Sequence, residues 1–335
     1  MTIRVAINGF GRIGRMVLRA LAESNRRDIK IVAINDLGSV TANAHLFQYD
    51  SVHGRFPKSI HITDHTLDVG LGPIDLLAES NPEKLPWAKH NIDLVFECSG
   101  RFTKRDEAGK HLTAGANRVL ISAPAENADI TVVYGVNHQQ IQKDHVILSN
   151  ASCTTNCLAP LAAVLHQAIG IEYGYMTTIH SYTGDQRLVD TLHSDLRRAR
   201  AAALSMIPSS TGAAKAVGLV LPELKGKLDG TAIRVPTANV SVVDFKFNSL
   251  KSTTAAAIND ALKQASQGPL KGILEAIEAP LVSCDFNHNP HSSIVDLEQT
   301  QVVGDKFCRV LSWYDNEWGF SNRMLDVALV IKNLL

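Results

Sequence analysis

Cys153 lies in a stretch of small polar residues of the kind that a reactive thiol needs around it. The segment SNASCTTNC covers residues 149–157 and holds a second cysteine, Cys157, four positions later. Structural zinc needs two pairs of closely spaced thiolates, and a redox pair is normally Cys-x-x-Cys, so neither fits. We expect Cys157 to be a buried filler on the apolar face of a helix. Cys153 is a candidate nucleophile.

The residues after Cys153 predict a helix that begins at this cysteine. CTTNCLAPLAAVLHQAIG starts with residues that cap helices well and ends at Gly170. Because the N–H groups of a first helical turn stabilise an anion, we expect the pKa of Cys153 to be depressed. Pro160 conflicts with a straight helix. It predicts either a bend or a helix that begins only near Pro160, with Cys153 left in a loop.

A nucleophile also requires a base, and His180 is the candidate among thirteen histidines. It ends the strand-like segment MTTIH just before a polar stretch, where functional side chains gather. Its position alone also fits a structural histidine.

Hydroxyl and guanidinium groups that suit phosphate follow in the same half of the chain. Thr183, Arg198 and Arg234 are accompanied by STGAAK at 210–215, a Thr-Gly turn that opens a helix. Such groups bind phosphate oxygens. The arginines of 197–200 fit equally well with a solvated or subunit-contact face.

A dinucleotide motif stands near the N-terminus. GFGRIG, residues 9–14, follows an apolar strand and opens a helix, and Asp36 ends the next strand. In this motif Gly9 permits the tight turn, Gly11 admits the pyrophosphate and Gly14 allows close helix–strand packing. Asp36 would accept hydrogen bonds from ribose hydroxyls and repel an added phosphate, which favours NAD over NADP. FAD and a purely structural glycine turn are the alternatives.

Two different patterns of secondary structure, one in each half of the chain, position these residues. Apolar strands alternate with helices in the first half, which predicts a parallel sheet, and half-covered strands follow in the second. We expect an α/β fold with a Rossmann-type dinucleotide-binding domain plus an α+β catalytic domain whose sheet is mainly antiparallel. The predicted boundaries are 1–152, joined by a C-terminal helix at 317–335, and 153–316. Residues 37–90 predict an irregular insertion with two short strands, and 183–210 a long functional loop.

Composition limits the expected partners. The 335 residues include 33 basic and 33 acidic side chains, so the net charge of zero gives no general attraction to nucleic acid or to an anionic membrane. No export signal and no apolar run of about 18 residues is present. The five scattered cysteines fit a reducing, cytoplasmic location without disulfides. We expect no metal, no nucleic acid and no membrane partner.

Seven motifs, in order along the whole chain, carry a resemblance to a known family. They are NGFGRIGR, SNASCTTNCLAP, TIHSYTGDQ, DLRRARAAA, STGAAKAV, AIRVPT and SWYDNEWGFSNRM. Together they resemble the phosphorylating, NAD-dependent (type I) glyceraldehyde-3-phosphate dehydrogenases. The resemblance implies oxidation of D-glyceraldehyde 3-phosphate with NAD and inorganic phosphate to 1,3-bisphosphoglycerate, in glycolysis or gluconeogenesis. It also implies a homotetramer, in which residues 181–206 pack against the cofactor site of a neighbouring subunit.

The same resemblance implies roles for individual residues. Cys153 attacks the aldehyde, His180 is the base, and hydride transfer leaves a thioester that phosphate cleaves. The backbone N–H of Cys153 would help to hold the oxyanion. The family keeps its helix intact through the proline of CLAP, which supports a bend at Pro160. One phosphate pocket is implied at Thr183 and Arg234. The other implied contacts are Ser152, Thr154, Thr211, Gly212 and Arg198 for anions, Arg12, Ile13, Asp36 and Ser122 for the cofactor, and Asn316 for the nicotinamide carboxamide.

Some residues depart from the family pattern. Thr191 and Leu192 replace the Leu-Pro that many NAD-specific members carry, and Ser80 replaces an arginine near the adenine. LVSCDFNHNPHSSIVD leans towards erythrose-4-phosphate dehydrogenase, which hydrolyses the thioester, although STGAAKAV favours the glyceraldehyde branch. Aspartate-semialdehyde dehydrogenase uses NADP, which Asp36 opposes. A non-catalytic, NAD-binding redox sensor is the alternative of another class, and the presence of Cys153 and His180 argues against it.

Overall fold

The computed structural model describes residues 2–335, which divide into two compact units. The first unit runs up to Ser152 and includes Ser321–Leu335, and the second is Cys153–Phe320. None of the helices in the described part of the chain is both long and apolar enough to cross a membrane.

The first unit alternates strands and helices as its apolar pattern predicts. Its elements are β1 (Ile3–Asn8), α1 (Arg12–Glu23), β2 (Ile29–Asn35), α2 (Val40–Gln48), β3 (Tyr49–Asp50), β4 (Gly54–Arg55), β5 (His61–Ile62), β6 (Thr66–Asp68), β7 (Ile74–Leu77), α3 (Trp87–His90), β8 (Leu94–Glu97), α4 (Arg105–Ala108), α5 (Lys110–Thr113), β9 (Arg118–Ile121), β10 (Ile130–Thr131) and β11 (Ile147–Ser149).

Nine of these strands form one sheet in the order β10-β11-β9-β8-β1-β2-β7-β6-β5. The pairs from β10 to β7 are parallel, and only β6 and β5 join in antiparallel fashion. The run β7-β2-β1-β8-β9-β11 has the strand order of a Rossmann fold, with the reversal of direction between β1 and β8. The predicted Rossmann-type domain is confirmed, and ligands bind such a sheet at the carboxyl ends of these two strands.

The insertion at 37–90 is more regular than its sequence predicts. The two expected short strands lie at β5 and β6, but α2 was not expected. Ser39 starts α2 by accepting a hydrogen bond from the N–H of Ala42 at 3.2 Å. The weak amphipathic pattern of VTANAHLFQ gives little helical signal, so only the cap marks this helix.

The second unit contains a seven-stranded sheet covered by helices. Its elements are α6 (Cys153–Ile169), β12 (Ile171–Ser181), β13 (Ile207–Ser210), α7 (Ala213–Val220), β14 (Leu228–Val235), β15 (Ser241–Ser249), α8 (Ala255–Gln267), β16 (Leu274–Ile277), β17 (Ser293–Val303), β18 (Phe307–Tyr314) and α9 (Trp318–Lys332), which continues into the first unit.

The sheet order of the second unit is β13-β14-β12-β15-β18-β17-β16, and four of its six strand pairs are antiparallel. The expected, mainly antiparallel sheet is therefore confirmed. The segment predicted as a loop at 183–210 is irregular up to residue 206 and then forms β13 at its end.

Helix α6 is the element that carries the candidate nucleophile. It runs unbroken through Pro160 and packs against α7, α8 and the sheet. The alternative in which the helix begins only near Pro160 is therefore wrong. Cys157 is completely buried in the helix–sheet interface, as expected for a filler residue.

Candidate active site

Cys153 is the first residue of α6, so the chain must turn sharply just before it. Ala151 makes this turn with φ 56°, a left-handed conformation that is uncommon for a residue with a Cβ. Its N–H donates to the hydroxyl of Ser149 at 3.1 Å. Strained conformations of this kind cluster at functional sites. Cys153 itself is partly buried.

The imidazole of His180 lies next to the thiol. Its Nε2 is 3.6 Å from the Sγ of Cys153, and the residue is 4% exposed. Strand β12 carries His180 and pairs in parallel with β14, where Arg234 is its direct partner. The structure thus brings together the residues that the sequence predicts as nucleophile, base and phosphate ligand.

Burial dominates the ionisation of both reactive groups. It raises the pKa of the Cys153 thiol, although the charge of Arg234 and hydrogen bonds from Thr154 oppose it. Burial and then the charge of Arg234 lower the pKa of His180 to about 3. The depressed thiol pKa expected from the helix N-terminus is therefore wrong, because lost hydration outweighs it. A proton passed from thiol to imidazole creates opposite charges about 3.6 Å apart, whose attraction opposes both shifts.

Arg234 is aimed at the far side of the same imidazole. Its Nη1 lies 2.7 Å from the Nδ1 of His180 and 3.1 Å from the carbonyl oxygen of Ser181. Its Nε is buried and has no hydrogen-bond partner within residues 2–335. A buried donor without a partner is costly unless an anion is bound, and the planar guanidinium suits the oxygens of a phosphate.

Tyr314 supports the site, and sequence reasoning missed it. Its hydroxyl bonds to the Oγ1 atoms of Thr154 at 2.8 Å and Thr178 at 2.9 Å. Its ring stands edge-on to His180 with centroids 5.9 Å apart. Burial raises its pKa well above the ordinary value, so Tyr314 stays neutral. The motif SWYDNEWG was the available signal, but nothing in it separates a supporting tyrosine from a reactive one.

Asn316 is held by two serines that the sequence also did not reveal. Its Oδ1 accepts hydrogen bonds from the hydroxyls of Ser181 and Ser241, each at 2.8 Å. All three residues are buried. Because the oxygen of the amide is engaged by both serines, the NH₂ group faces away from them and keeps its donors for another acceptor.

The anion-binding candidates lie on two segments after β12. The N–H of Thr183 donates to the side chain of Gln186 at 3.2 Å, which fixes the turn. Arg198 donates to the hydroxyl of Ser209 through Nε at 2.8 Å and to Asp185 through Nη1 at 2.7 Å. Arg198 is thus already ion-paired with Asp185, a partner that the sequence did not predict.

The other anion candidates lie around the starts of α6 and α7. Gly212 precedes α7, and the hydroxyl of Thr211 accepts from the N–H of Ala213 at 3.2 Å. Thr155 brings the two helix starts together by donating to the carbonyl of Ala213 at 3.3 Å. The hydroxyl of Thr154 is hydrogen-bonded to Tyr314, which leaves its backbone N–H for the predicted anion contact. Ser152 is partly buried directly before α6.

The glycine motif of the first unit forms one wall of a pocket. Gly9 has φ +90°, and a Cβ there would stand 2.5 Å from the backbone of Ser99. A Cβ on Gly14 would stand 2.2 Å from the carbonyl oxygen of Gly9, whereas one on Gly11 would meet nothing within 4 Å. Gly9 and Gly11 line the pocket, together with Asp36. The free space at Gly11 suits a pyrophosphate that approaches the backbone at the start of α1.

Asp36 is anchored at the rim of this pocket. Its Oδ2 accepts from the N–H of Phe10 at 2.8 Å, and its Oδ1 from the N–H of Gly38 at 2.9 Å. Ser80, which the family resemblance associates with the adenine, lines the pocket, and Arg101 also lines it. No sequence pattern indicated Arg101, which brings a positive charge to the wall of the pocket at a position other than that of Ser80.

Three further cofactor candidates do not line the pocket. Arg12 begins α1 and forms a two-pronged ion pair with the buried Asp50, at 2.5 Å and 3.2 Å. Ile13 follows it in the same helical turn. Ser122, just after β9, hydrogen-bonds the thiol of Cys98, which does line the pocket.

A buried carboxylate underlies the pocket. Glu97 accepts hydrogen bonds from Asn8 at 2.6 Å, from Nε2 of His111 at 2.9 Å, and from both the N–H and the hydroxyl of Ser99, at 2.8 Å and 2.5 Å. The indole N–H of Trp87 donates to Nδ1 of His111 at 2.9 Å, which places the proton of a neutral His111 on Nε2. Sequence reasoning missed this network, because Glu97 reads simply as the end of an apolar strand.

Comparison with known proteins identifies both units. Residues 3–105 match the glyceraldehyde 3-phosphate dehydrogenase NAD-binding domain, and residues 152–316 match the C-terminal domain of the same family. Glyceraldehyde-3-phosphate dehydrogenases from Xanthobacter flavus and Cereibacter sphaeroides are each 62% identical to this chain, over 100% of both sequences. The enzyme of that name from Geobacillus stearothermophilus is 55% identical over 99% of this chain and 98% of its own.

Proposed function

Since the chain belongs to the glyceraldehyde-3-phosphate dehydrogenase family, we propose that it oxidises D-glyceraldehyde 3-phosphate with NAD and inorganic phosphate to 1,3-bisphosphoglycerate, in glycolysis or gluconeogenesis. The observation that carries this proposal is the pairing of Cys153 with His180 at 3.6 Å, next to Arg234. The first unit serves as the NAD-binding domain and the second as the catalytic domain.

In the proposed reaction Cys153 attacks the aldehyde carbon and forms a thiohemiacetal. His180 accepts the proton of the thiohemiacetal hydroxyl, which its neutral state near pH 7 permits. Bound NAD supplies the hydride acceptor. The thioester left on Cys153 is then cleaved by inorganic phosphate, and the acyl phosphate leaves. The N–H groups at the start of α6 stabilise the oxyanion that develops at each attack.

The anion sites position the two phosphates of this reaction. Arg234 and Thr183 hold the phosphate of the substrate, since the buried Nε of Arg234 has no protein partner in the described chain. Arg198, Ser152, Thr154, Thr211 and Gly212 serve the inorganic phosphate. Thr154 does so through its backbone, because its hydroxyl is bonded to Tyr314. Two such sites on either side of one carbon provide the alignment that acyl transfer needs.

Each cofactor candidate is assigned to one part of the NAD molecule. Gly9, Gly11 and Gly14 shape the pyrophosphate site, with Arg12 and Ile13 at the start of α1. Asp36 binds the adenosine ribose, and Ser122 supports the pocket through Cys98. Asn316 donates its NH₂ group to the nicotinamide carboxamide, an orientation that Ser181 and Ser241 support. The carboxylate of Asp36 disfavours NADP by charge repulsion.

A homotetramer is supported by two separate apolar surfaces on the second unit. The segment after β12 exposes Leu188 by 84% and Leu192 by 91%. The sheet exposes Tyr173, Tyr175 and Phe307 on one face. Exposed apolar patches of this kind mark contacts between proteins, and a tetramer with dihedral symmetry uses at least two different interfaces. All five cysteines are free thiols, which supports a cytoplasmic location.

Steady-state formation of NADH tests this function. We expect rapid turnover with D-glyceraldehyde 3-phosphate, NAD and phosphate, weak activity with NADP, and little with erythrose 4-phosphate. Turnover that is equally fast without phosphate would favour erythrose-4-phosphate dehydrogenase, the second candidate suggested by residues 281–296. The absence of turnover together with tight NAD binding would favour a redox sensor.

A further inference from the structure

His180 has more close polar neighbours on its Nδ1 side than one ring nitrogen can satisfy. Its Nδ1 lies 2.7 Å from the carbonyl oxygen of Ser181 and 2.7 Å from Nη1 of Arg234. The same Nη1 lies 3.1 Å from that carbonyl oxygen. A donor, an acceptor and an imidazole nitrogen therefore form one tight triangle.

A neutral imidazole carries a single N–H, so one contact in this triangle is always repulsive. If Nδ1 carries the proton, it donates to Ser181 but faces the N–H donors of Arg234. If Nε2 carries it, Nδ1 accepts from Arg234 but its lone pair faces the carbonyl oxygen. His180 is 4% exposed, and such a mismatch is felt more strongly in a buried site than in water.

The choice of tautomer decides what Nε2 can do. Nε2 faces the thiol of Cys153 at 3.6 Å and is the nitrogen available to the reacting groups. It can accept a proton only when the imidazole N–H is on Nδ1. Arg234, in the position it occupies here, stabilises the other tautomer.

A second feature indicates that Arg234 can be drawn away from the imidazole. Its Nε is buried and has no hydrogen-bond partner within the part of the chain that the structure describes. Its Nη1 serves two neighbours at once. A phosphate dianion that bound both nitrogens would satisfy Nε and would compete with the imidazole for Nη1.

We propose that the phosphate of the substrate switches His180 into its basic tautomer by drawing Arg234 away from Nδ1. The proton moves from Nε2 to Nδ1 through solvent, no net proton is gained or lost, and Nδ1 then donates to the carbonyl of Ser181. This coupling rests on the proposed function and deepens it. Aldehydes that carry a phosphate monoester are selected because they activate the base, in addition to being bound.

The test separates activation from binding by supplying the two parts of the substrate, the aldehyde and the phosphate dianion, as separate molecules. The rate of the single NADH burst is measured with NAD and unphosphorylated D-glyceraldehyde, with and without phosphite as the unattached dianion. In the wild-type protein phosphite should accelerate the burst about tenfold, equivalent to about 1.4 kcal/mol of barrier. Arg234→Leu should oxidise glyceraldehyde about tenfold faster than wild type without phosphite, and should not respond to phosphite.

A purely binding role for Arg234 predicts a different pattern. The variant would then match or fall below the wild-type rate on glyceraldehyde, because no phosphate needs to be held. Arg27→Leu, at an exposed arginine of the first unit, is the matched control and should respond to phosphite as wild type does.

Failure of this coupling can be told apart from failure of the function. A wild-type burst with D-glyceraldehyde 3-phosphate establishes the reaction independently. Given that burst, a wild-type rate on glyceraldehyde that phosphite leaves unchanged would overturn the coupling, and this measurement needs no variant. An Arg234→Leu variant that melts like wild type but is no faster on glyceraldehyde would also overturn it.

Discussion

The buried polar groups beneath the dinucleotide pocket are fully paired, whereas those around Cys153 are not. Glu97 in the first unit accepts four hydrogen bonds from three residues. In the second unit, Arg234 keeps one buried nitrogen without a partner within residues 2–335, and His180 faces both a donor and an acceptor on the same ring nitrogen. The hydrogen bonds of the first site are complete without a ligand, while in our proposal the second site is completed by its substrate.

This difference reflects what each site has to do. A cofactor pocket must keep one shape, and a satisfied network gives it that rigidity. A catalytic site must favour a transition state over its own resting arrangement, so interactions left unsatisfied in the resting state can be made during the reaction. Variants in the first unit should therefore change affinity and stability, and variants in the second unit should change rates.

The largest expected effect is that of Cys153→Ser. The hydroxyl is a much weaker nucleophile than the thiol, so turnover should fall by at least about 10⁴-fold. The affinity for NAD should stay within about twofold, because serine keeps the size of cysteine and none of the residues proposed to hold the cofactor is changed. Fluorescence titration with NAD and steady-state NADH formation measure the two effects. Turnover that survives the substitution would remove Cys153 from the mechanism.

Two alanine substitutions in the glycine motif should separate stability from cofactor affinity. In Gly14→Ala the new Cβ would stand 2.2 Å from a carbonyl oxygen, so the free energy of unfolding should fall by about 2–3 kcal/mol. Gly11→Ala meets no atom within 4 Å and should melt like wild type. Its NAD affinity should nevertheless fall about tenfold, because the Cβ occupies the path of the pyrophosphate. Urea unfolding and NAD titration of both variants test this, and equal stabilities would contradict it.

Replacement of Glu97 should lower the stability of the protein and its affinity for NAD without changing the rate of catalysis. In Glu97→Gln an NH₂ group faces the donors of Asn8, His111 or Ser99, which should cost about 1–3 kcal/mol of stability and raise the dissociation constant for NAD. The catalytic constant at saturating NAD should change less than twofold. Glu223→Gln, at an exposed site, is the control. A lower catalytic constant with unchanged NAD affinity would contradict the assignment of Glu97 to the pocket.

The effect with the least consequence for activity is expected from the ion pair beside the pocket, where only the stability should change. Burial alone would raise the pKa of Asp50, but hydrogen bonds from Arg12 and from the backbone of His53 lower it to about 2. A depressed carboxyl pKa stabilises the folded state above the unfolded pKa and loses that effect as the pH falls through the folded pKa. Asp50→Asn should therefore cost about 2 kcal/mol above about pH 4, and the difference should shrink towards pH 2. Unfolding free energies measured at several pH values test this, and a constant difference would contradict it.

The same contrast explains how much the sequence could predict. The dinucleotide pocket depends on a strand, a turn and a helix that are adjacent in the chain, so its glycines and Asp36 could be named from local spacing. Residue type and position made Cys153 a candidate nucleophile, whereas the proposed role of His180, one of thirteen histidines, depended on the family resemblance. The thiol pKa could not be predicted, because it depends on burial by distant elements and on Arg234, which lies on another strand.

Supporting residues were missed for the same reason. Tyr314 contacts Thr154 across 160 positions of the chain, and Ser181 contacts Asn316 across 135. No local pattern marks such pairs, since buried hydroxyls occur throughout the core. Within the insertion, α2 was missed because its apolar residues do not follow a clear helical period.

The most direct test of Cys153 as the nucleophile is the mass of the acyl-enzyme, trapped after hydride transfer and before phosphate attacks. The wild-type chain is mixed with NAD and D-glyceraldehyde 3-phosphate without inorganic phosphate, quenched in acid and digested. We predict one 3-phosphoglyceryl group on the peptide that contains Cys153, removed when phosphate is added before the quench. An unmodified Cys153, or the acyl group on Cys98 or Cys157 instead, would contradict the account.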